Sequence, residues 1–333
     1  MLLTGDTMIS RLEIFCGEGF DPYRNLAIEK HLLDTVPEGT LRLYLWQNDN
    51  TVVVGANQNP YAECDCASLT ADGGFVARRL SGGGAVFHDK GNLNFTFLCR
   101  EEDYDIERHF NIIKTACGYA NIAAAVSGRN DVLADGKKFS GNAFYHTAGR
   151  AFHHGTLLVD GDTDKIARYL TPTQEKLRAK GVRSVRSRVV NLRELNPTLT
   201  PSLMAQFMIK AAESVCYLTA EILSKLDEKA IEKDTALFGS WDYIYGKTPP
   251  FSLRCGKRFA WGEIEINLSL AHGVIDAAKV YTDALDHTLA ARLEAALSGV
   301  RWSADEIRRT LQNAFDESLA NDLMSIIKDA LMP

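Results

Sequence analysis

Three consecutive glycines, Gly82-Gly83-Gly84, sit inside the stretch RRLSGGGAVFHD that runs from Arg78 to Asp89. Residues 75–80 (FVARRL) have the β-branched, apolar character of a strand, and Val86–Asp89 reads as a short extended piece. The triplet is therefore a link between extended segments, with no helix opening directly after it. That restricts the folds available. No G-x-x-x-x-G-K-[ST] occurs in the chain, and the spacing fails the dinucleotide-binding fingerprint, which must open a helix. A glycine triplet alone is either a turn or a ligand cradle. Glycines allow close backbone approach because no Cβ intervenes, and their N–H groups can converge on an anion. Arg79 adds a planar, permanently charged donor, and Ser81 adds a hydroxyl.

The remaining pattern predicts an α+β chain. Residues 22–34 have helical apolar spacing through Leu26, Ala27, Leu32 and Leu33. Residues 41–47 and 51–57 read as strands joined by a turn at Asn48-Asp49-Asn50, and 94–100 and 152–159 as further strands. Helices are expected over 105–125, over 163–180 with a break at Thr171-Pro172, and over 202–226. Gly246, Pro249 and Pro250 mark a linker. Beyond it, 263–270 alternates as a strand, His272-Gly273 turns the chain back, and amphipathic helices follow, one capped by Ser303 with Glu306 three residues on. A length of 333 residues exceeds the usual single domain. The expected division is a catalytic domain over 1–246, a linker over 247–252 and a small α+β unit over 253–333.

The net charge of -6 and a pI near 5.8 argue against broad nucleic-acid binding. Any anion site must be a local cluster. Seven cysteines, an odd number with irregular spacing, fit a reducing, cytoplasmic compartment. Cys64 and Cys66 lack the partners of a metal site and read as free thiols. Residues 1–15 do not form a secretory signal, and no apolar run is long enough to span a membrane.

Asp135-Gly136 signals a two-residue hairpin turn. With that turn Ala134 pairs with Lys137, Leu133 with Lys138 and Asp131 with Ser140, placing Asp131, Lys138 and Ser140 on one face. Those groups make either a solvated ion pair or a phosphate site in which Asp131 takes Mg²⁺ and Lys138 meets developing negative charge. His153 and His154 are adjacent on a strand and face opposite ways, so one belongs to the core and the other to a site. Arg183, Arg186, Arg188 and Arg193, interleaved with valines, form either a solvated face or a loop that closes over a nucleotide.

Taken together, RRLSGGGAVFHDKGNLNFTF, GRND with DGKKFSGNA, FHHGTLL and GVRSVRSRVVNL resemble, in the same order, the motifs of the lipoate–protein ligase family. The motifs span roughly residues 10–250, and the C-terminal unit resembles the family's accessory domain. The resemblance implies a mixed β-sheet catalytic domain of the biotin/lipoate ligase type. It implies activation of free lipoate, or octanoate, by ATP and Mg²⁺ as lipoyl-AMP, with transfer to a lysine of an acceptor. The implied acceptors are lipoyl domains of 2-oxoacid dehydrogenase complexes and the glycine-cleavage carrier protein. No nucleic acid, membrane or tightly bound prosthetic group is implied. Lys138 matches the catalytic lysine of a K-x-S-G motif that continues through Ser140 and Gly141. Arg79, Ser81, Gly82, Gly83 and Gly84 match the lipoate and adenylate pocket, which His88 and Asn92 also line. Asn130 and Asp131 match nucleotide and metal contacts, and His154, Gly155 and Thr156 match the strand beneath the ligand. Arg183 and Arg186 fall in a matching loop over 170–188.

The sequence departs from the family's pattern in places. Tyr145 stands seven residues after Lys138, where other members carry Arg; Asn142 replaces a small Ser and Leu80 a polar residue. Val86, Phe87 and Leu157 are candidates for an apolar slot or for the core. An ATP-independent octanoyl or lipoyl transferase shares the scaffold but needs a cysteine, for which Cys64, Cys66, Cys99 and Cys117 stand in no recognisable motif. A biotin ligase carries a different glycine loop. A non-catalytic lipoate-binding scaffold needs neither Lys138 nor Asp131.

Overall fold

A computed structural model describes residues 9–128, 130–170, 189–247, 251–282, 284, 286 and 288–331. Its strands are β1 (Arg11–Cys16), β2 (Thr40–Trp46), β3 (Thr51–Val54), β4 (Phe75–Arg78), β5 (Val86–His88), β6 (Asn92–Arg100), β7 (Ala124–Ser127), β8 (Asp131–Ala134), β9 (Lys137–Thr147), β10 (Arg150–Leu158), β11 (Ala220–Ile222), β12 (Phe251–Phe259), β13 (Gly262–Ala271) and β14 (Val274–Thr282). Eight of them form one mixed sheet in the order β11-β1-β2-β6-β10-β9-β8-β7. The pairs β11–β1 and β1–β2 are parallel, and the remaining pairs are antiparallel.

Both faces of this sheet are covered, which explains why every residue of β2 is buried. Leu41, Leu43 and Leu45 point to a core shared with helices Ile106–Tyr119 and Pro201–Cys216, while Tyr44 and Trp46 point to a second core under helices Pro22–Asp34 and Glu228–Phe238. Helix Pro22–Asp34 starts where Asp21 accepts from the N–H groups of Tyr23 and Arg24, with Pro22 in its first turn. Its predicted apolar residues Leu26, Ala27, Leu32 and Leu33 are all buried.

A second, three-stranded sheet has the order β4-β3-β5. The turn at residues 48–50, with Asn50 at φ 42°, hands the chain from the large sheet to this small one. The glycine triplet then spans from β4 to β5, on the two sides of β3.

Two expected helices are shorter than their apolar pattern suggests. The one expected over 105–125 ends at Tyr119, where Asn121 at φ 56° reverses the chain so that residues 124–127 can pair with β8. The one expected over 202–226 ends at Cys216; Tyr217 takes the left-handed conformation and residues 220–222 add an edge strand to β1.

The C-terminal strands β12, β13 and β14 form an antiparallel meander. His272 and Gly273, at φ 53° and 73°, make the predicted turn. Helices Leu289–Leu297, Ala304–Ala314 and Glu317–Leu331 close a separate core around Trp302, Leu293 and Ile266, and Ser303 accepts from the N–H of Glu306 as predicted. None of the described helices is long and apolar enough to cross a membrane.

Candidate functional site

The glycine triplet is shaped by the arginine before it. Arg79, 6% exposed, donates from Nε to Ser81 Oγ at 3.0 Å, from Nη1 to the Val53 carbonyl at 3.1 Å, and from Nη2 to the carbonyls of Gly82 and Gly84 at 2.7 and 2.8 Å. Burial lowers its pKa to about 10, against the opposing charge of Glu29, so the group stays charged at neutral pH. All three of its nitrogens are engaged by the protein. It is a staple that bends the loop around one side of a cleft, rather than a free anion donor. Gly83 sits at φ +93°, a conformation open to glycine. Gly55 lies against it: a Cβ there would stand 2.4 Å from the Gly83 carbonyl oxygen. Arg78 is also buried and, among the described residues, donates to backbone carbonyls, those of Gly55, Ala56, Gln58 and Ile244.

Behind the loop runs a chain of hydrogen bonds. Ser81 Oγ lies 2.7 Å from His154 Nε2, and His154 Nδ1 lies 2.8 Å from Glu29 Oε1. Thr96 Oγ1 donates to the same carboxylate oxygen at 2.7 Å and receives Trp46 Nε1–H at 3.1 Å. Donation of Nδ1–H to Glu29 leaves His154 Nε2 to accept from the serine hydroxyl. The alternation predicted for the two histidines is present. His154 lines the cleft, while His153 is buried among Phe95, Phe97, His109, Phe110 and Phe144.

The hairpin carries the charged end of the cleft. Asp135 and Gly136, at φ 49° and 72°, make the two-residue turn, and Ala134–Lys137 and Leu133–Lys138 pair as expected. Beyond them a bulge shifts the register: Val132 pairs with Ser140 and Asp131 with Gly141. The expected Asp131–Ser140 pairing is thereby corrected. Phe139 is the extra residue, and its side chain is seated in the core beside Val132. Ser140 consequently shares a face with Val132, is fully buried and receives Asn142 Nδ2–H at 3.3 Å. Lys138 and Asp131 keep one face, with Nζ 2.7 Å from Oδ1 and both side chains 38% exposed. Gly141 makes room for the lysine, since a Cβ there would stand 3.0 Å from Nζ. Asn142 ties the neighbouring strands: its Nδ2 donates to the Asn130 carbonyl at 3.1 Å and its Oδ1 meets His153 Nε2 at 2.8 Å.

These pieces line one cleft of about 250 Å³ that is open to solvent. Of the predicted site residues, Arg79, Gly83, Gly84, His88, Asn130 and Lys138 line it, as do Gly141, His154, Gly155 and Thr156. Ser81, Asn92 and Ser140 lie behind the lining as buried supports. Gly82 is on the exposed side of the loop. Arg183 and Arg186 lie outside the described residues. Val86 lines the cleft, whereas Phe87 and Leu157 belong to the cores. Sequence reasoning missed Glu29, Trp46 and Asn94, and gave Asn142 only as a departure from the family's pattern. Glu29 carried a usable signal, being a carboxylate on the apolar face of its helix between Leu26 and Leu32.

Over residues 21–213 the chain matches the family described as the lipoyl protein ligase A/B catalytic domain, and over residues 248–330 the bacterial lipoate protein ligase C-terminus. It is 40% identical over 308 residues to the lipoate-protein ligase A of Psychrobacter cryohalolentis, covering 90% of this chain and 91% of the relative. Among solved structures it is similar to P. falciparum LipL1 in complex with lipoate, at 27% identity and a TM-score of 0.61, over 94% of this chain and 98% of the other. The fold is shared with a structure described as a bi-partite lipoate protein ligase and its E2 lipoyl domain from Thermoplasma acidophilum, at 23% identity and a TM-score of 0.62, over 71% of this chain and 96% of the other.

Proposed function

We propose that this chain, which belongs to the lipoate–protein ligase family, activates free lipoate or octanoate with ATP as the acyl-adenylate. It then passes the acyl group to a lysine of an acceptor lipoyl domain. The observation that carries this reading is the Lys138–Asp131 pair, 2.7 Å apart, at the mouth of a cleft whose other side is the stapled glycine loop. An anionic carboxylate must approach an anionic α-phosphate, and Lys138 Nζ supplies a positively charged donor where they meet. The carboxylate oxygen bonds to phosphorus and pyrophosphate leaves. In the second step the acceptor amine bonds to the acyl carbon, and AMP leaves with Lys138 positioned to donate to its phosphate.

Asp131 is the residue that suits Mg²⁺. Its Oδ1 is held by Lys138. The described residues contain no group of three or more His, Cys, Asp or Glu able to hold a metal, which matches a cation held mainly by nucleotide phosphates, water and one carboxylate. Bound there, the cation supplies further positive charge to the phosphate oxygens. Asn130, Gly141 and Thr156 face the same end and are assigned to nucleotide and carboxylate contacts.

The transferase alternative calls for a cysteine at the cleft, and no cysteine lines it among the described residues. Cys64, Cys66, Cys99 and Cys117 are buried. Burial pushes the thiols of Cys99 and Cys117 up to about 12, away from the reactive thiolate. We assign the acceptors to 2-oxoacid dehydrogenase lipoyl domains and the glycine-cleavage carrier, and the location to the cytoplasm, where seven unpaired cysteines persist. Residues 1–246 are assigned to catalysis and 253–333 to the accessory unit, with 247–252 as the linker.

The test is lipoate-dependent exchange of pyrophosphate into ATP. Lys138→Ala is expected to lower the exchange rate by about 10²–10³ with an unchanged melting temperature. Near-normal exchange by that variant removes Lys138 from the mechanism. Exchange with neither acid by the wild-type protein removes the ligase reading.

A further inference from the structure

Two residues of the cleft wall carry buried donors that nothing among the described residues satisfies: His88 Nε2 and Asn94 Nδ2. Both residues line the cleft, and they are 4% and 1% exposed. The state of His88 is fixed by a chain of amides. Asn25 Nδ2 donates to the backbone carbonyls of Gly19 and Gln47 and to Asn48 Oδ1, which sets the Asn25 and Asn48 amides. Asn48 Nδ2 therefore faces His88 Nδ1, 3.2 Å away, and can only donate to it. The proton of the neutral ring is left on Nε2. Burial, with Arg79 and His154 nearby, lowers the His88 pKa to about 3, so the ring is a neutral N–H donor throughout the physiological range. Asn94 Oδ1 accepts from Asn92 Nδ2 at 2.8 Å, which leaves its own Nδ2 as the unpartnered end.

The sheet register locates these donors along the cleft. Asn94 on β6 stands opposite Trp46 on β2 and Thr156 on β10. Thr156 Oγ1 in turn receives the N–H of Gly141 on β9, beside Lys138. Two strand spacings, about 10 Å, thus separate Asn94 from the lysine end. That is the span of an extended pentanoate chain bearing a small ring. With the carboxylate at Lys138, the far end of the acid lies against Asn94 and Trp46, whose ring is 6.2 Å from that of His88 in an edge-on arrangement.

We propose that Asn94 Nδ2 and His88 Nε2–H donate to the ring sulfurs of lipoate, making the far end of the cleft selective for the dithiolane over a plain alkyl tail. This rests on the ligase reading given above. Disulfide sulfurs carry lone pairs and accept weakly, as thioether sulfur does. An octanoate methyl end accepts nothing and leaves the two N–H groups buried and unsatisfied. The surrounding apolar wall of Leu26, Trp46 and Val53 serves both acids equally, so the donors set the difference.

The test compares acid-dependent pyrophosphate exchange with lipoate, octanoate and the carbocyclic analogue cyclopentanepentanoate, which keeps the ring and loses the sulfurs. In the wild-type protein kcat/KM for lipoate is expected to exceed that for the analogue by about tenfold. Asn94→Leu is expected to narrow the ratio to about twofold with the KM for ATP unchanged. Equal values for lipoate and analogue in the wild-type protein overturn the proposal, whether or not the variant folds. A ratio undisturbed in a folded Asn94→Leu variant overturns the assignment to Asn94. Exchange with none of the three acids refutes the ligase reading itself, and the selectivity with it.

Discussion

Gly55→Ala isolates what the glycine loop contributes. The new methyl would stand 2.4 Å from the Gly83 carbonyl oxygen, 3.2 Å from the Gly82 carbonyl carbon and 3.3 Å from that of Gly83. All are backbone atoms, so no flexible side chain can absorb the contact. Relief requires the loop to retreat by nearly an ångström. That movement works against Arg79, whose Nη2 holds the carbonyls on both sides of Gly83, and against the bond from the Ala56 N–H to the Ser81 carbonyl. Overpacking of this kind costs about 1–3 kcal/mol, a modest loss for a chain of this size. Function is expected to suffer more, because an ångström of misplacement can cost about 10²-fold in rate. The assay is pyrophosphate exchange, with the urea midpoint measured on the same preparation. Gly118→Ala is the control: it lies in helix Ile106–Tyr119 with nothing within 4 Å of its added methyl, and should be neutral or stabilising by about 0.5–1 kcal/mol. Exchange by Gly55→Ala within threefold of wild type would refute the view that the loop's position sets catalysis.

Stability is expected to fall steeply below neutral pH. Burial, with Arg108 nearby, lowers the pKa of His109 to about 3, as burial does for His88; both bind protons in the unfolded chain near 6.5, so the unfolded state gains protons as pH drops and each residue costs about 2 kcal/mol of stability at pH 5. His109 has no partner for either ring nitrogen among the described residues and stacks on Phe97 at 4.7 Å; His109→Phe should therefore flatten the acid limb of a urea-midpoint profile and leave exchange activity unchanged, and an unaltered limb would contradict the assignment. Glu29→Gln retains an acceptor for His154 but replaces charged hydrogen bonds by neutral ones, and should lower unfolding free energy by about 1–2 kcal/mol in urea titrations at pH 7.

What the sequence made legible was local. The Asp135-Gly136 turn, the opposed faces of His153 and His154, and the amphipathic helix Pro22–Asp34 follow from two- and four-residue periodicities that neighbouring residues satisfy by themselves. The bulge at Phe139 is different: it arises because Phe139 and Val132 both enter a core assembled from distant helices, and no hairpin rule contains that demand. Helix ends at Asn121 and Tyr217 were hidden for a related reason. Tyr217 adopts a left-handed conformation that disfavours a bulky side chain, and it does so where the chain turns to reach β1. Asn94 was overlooked although the alternation of β6 pointed to it. Asn94 and Thr96 place polar groups on one face of a strand whose two faces are both covered, and buried polar groups on such a strand need partners.

The roles of the two arginines bear on how the cleft divides its work. From sequence, Arg79 looks like an anion donor, with Arg78 beside it. In the structure both spend their donors on protein oxygens, and each stabilises backbone that the ligand approaches. Among the described residues lining the cleft, the cationic side chain left for the substrate is then Lys138, half-exposed and next to solvent. The other end is built from neutral donors and a carboxylate paired with a histidine. Charge needed for the reaction and contacts needed for recognition are thus separated by about 10 Å of sheet, with Thr156 and Gly155 between them. Changes at one end should leave the other undisturbed, because perturbations that far apart with no shared partner add. Tail selectivity can therefore change at Asn94 and His88 without altering how the carboxylate meets the phosphate at Lys138.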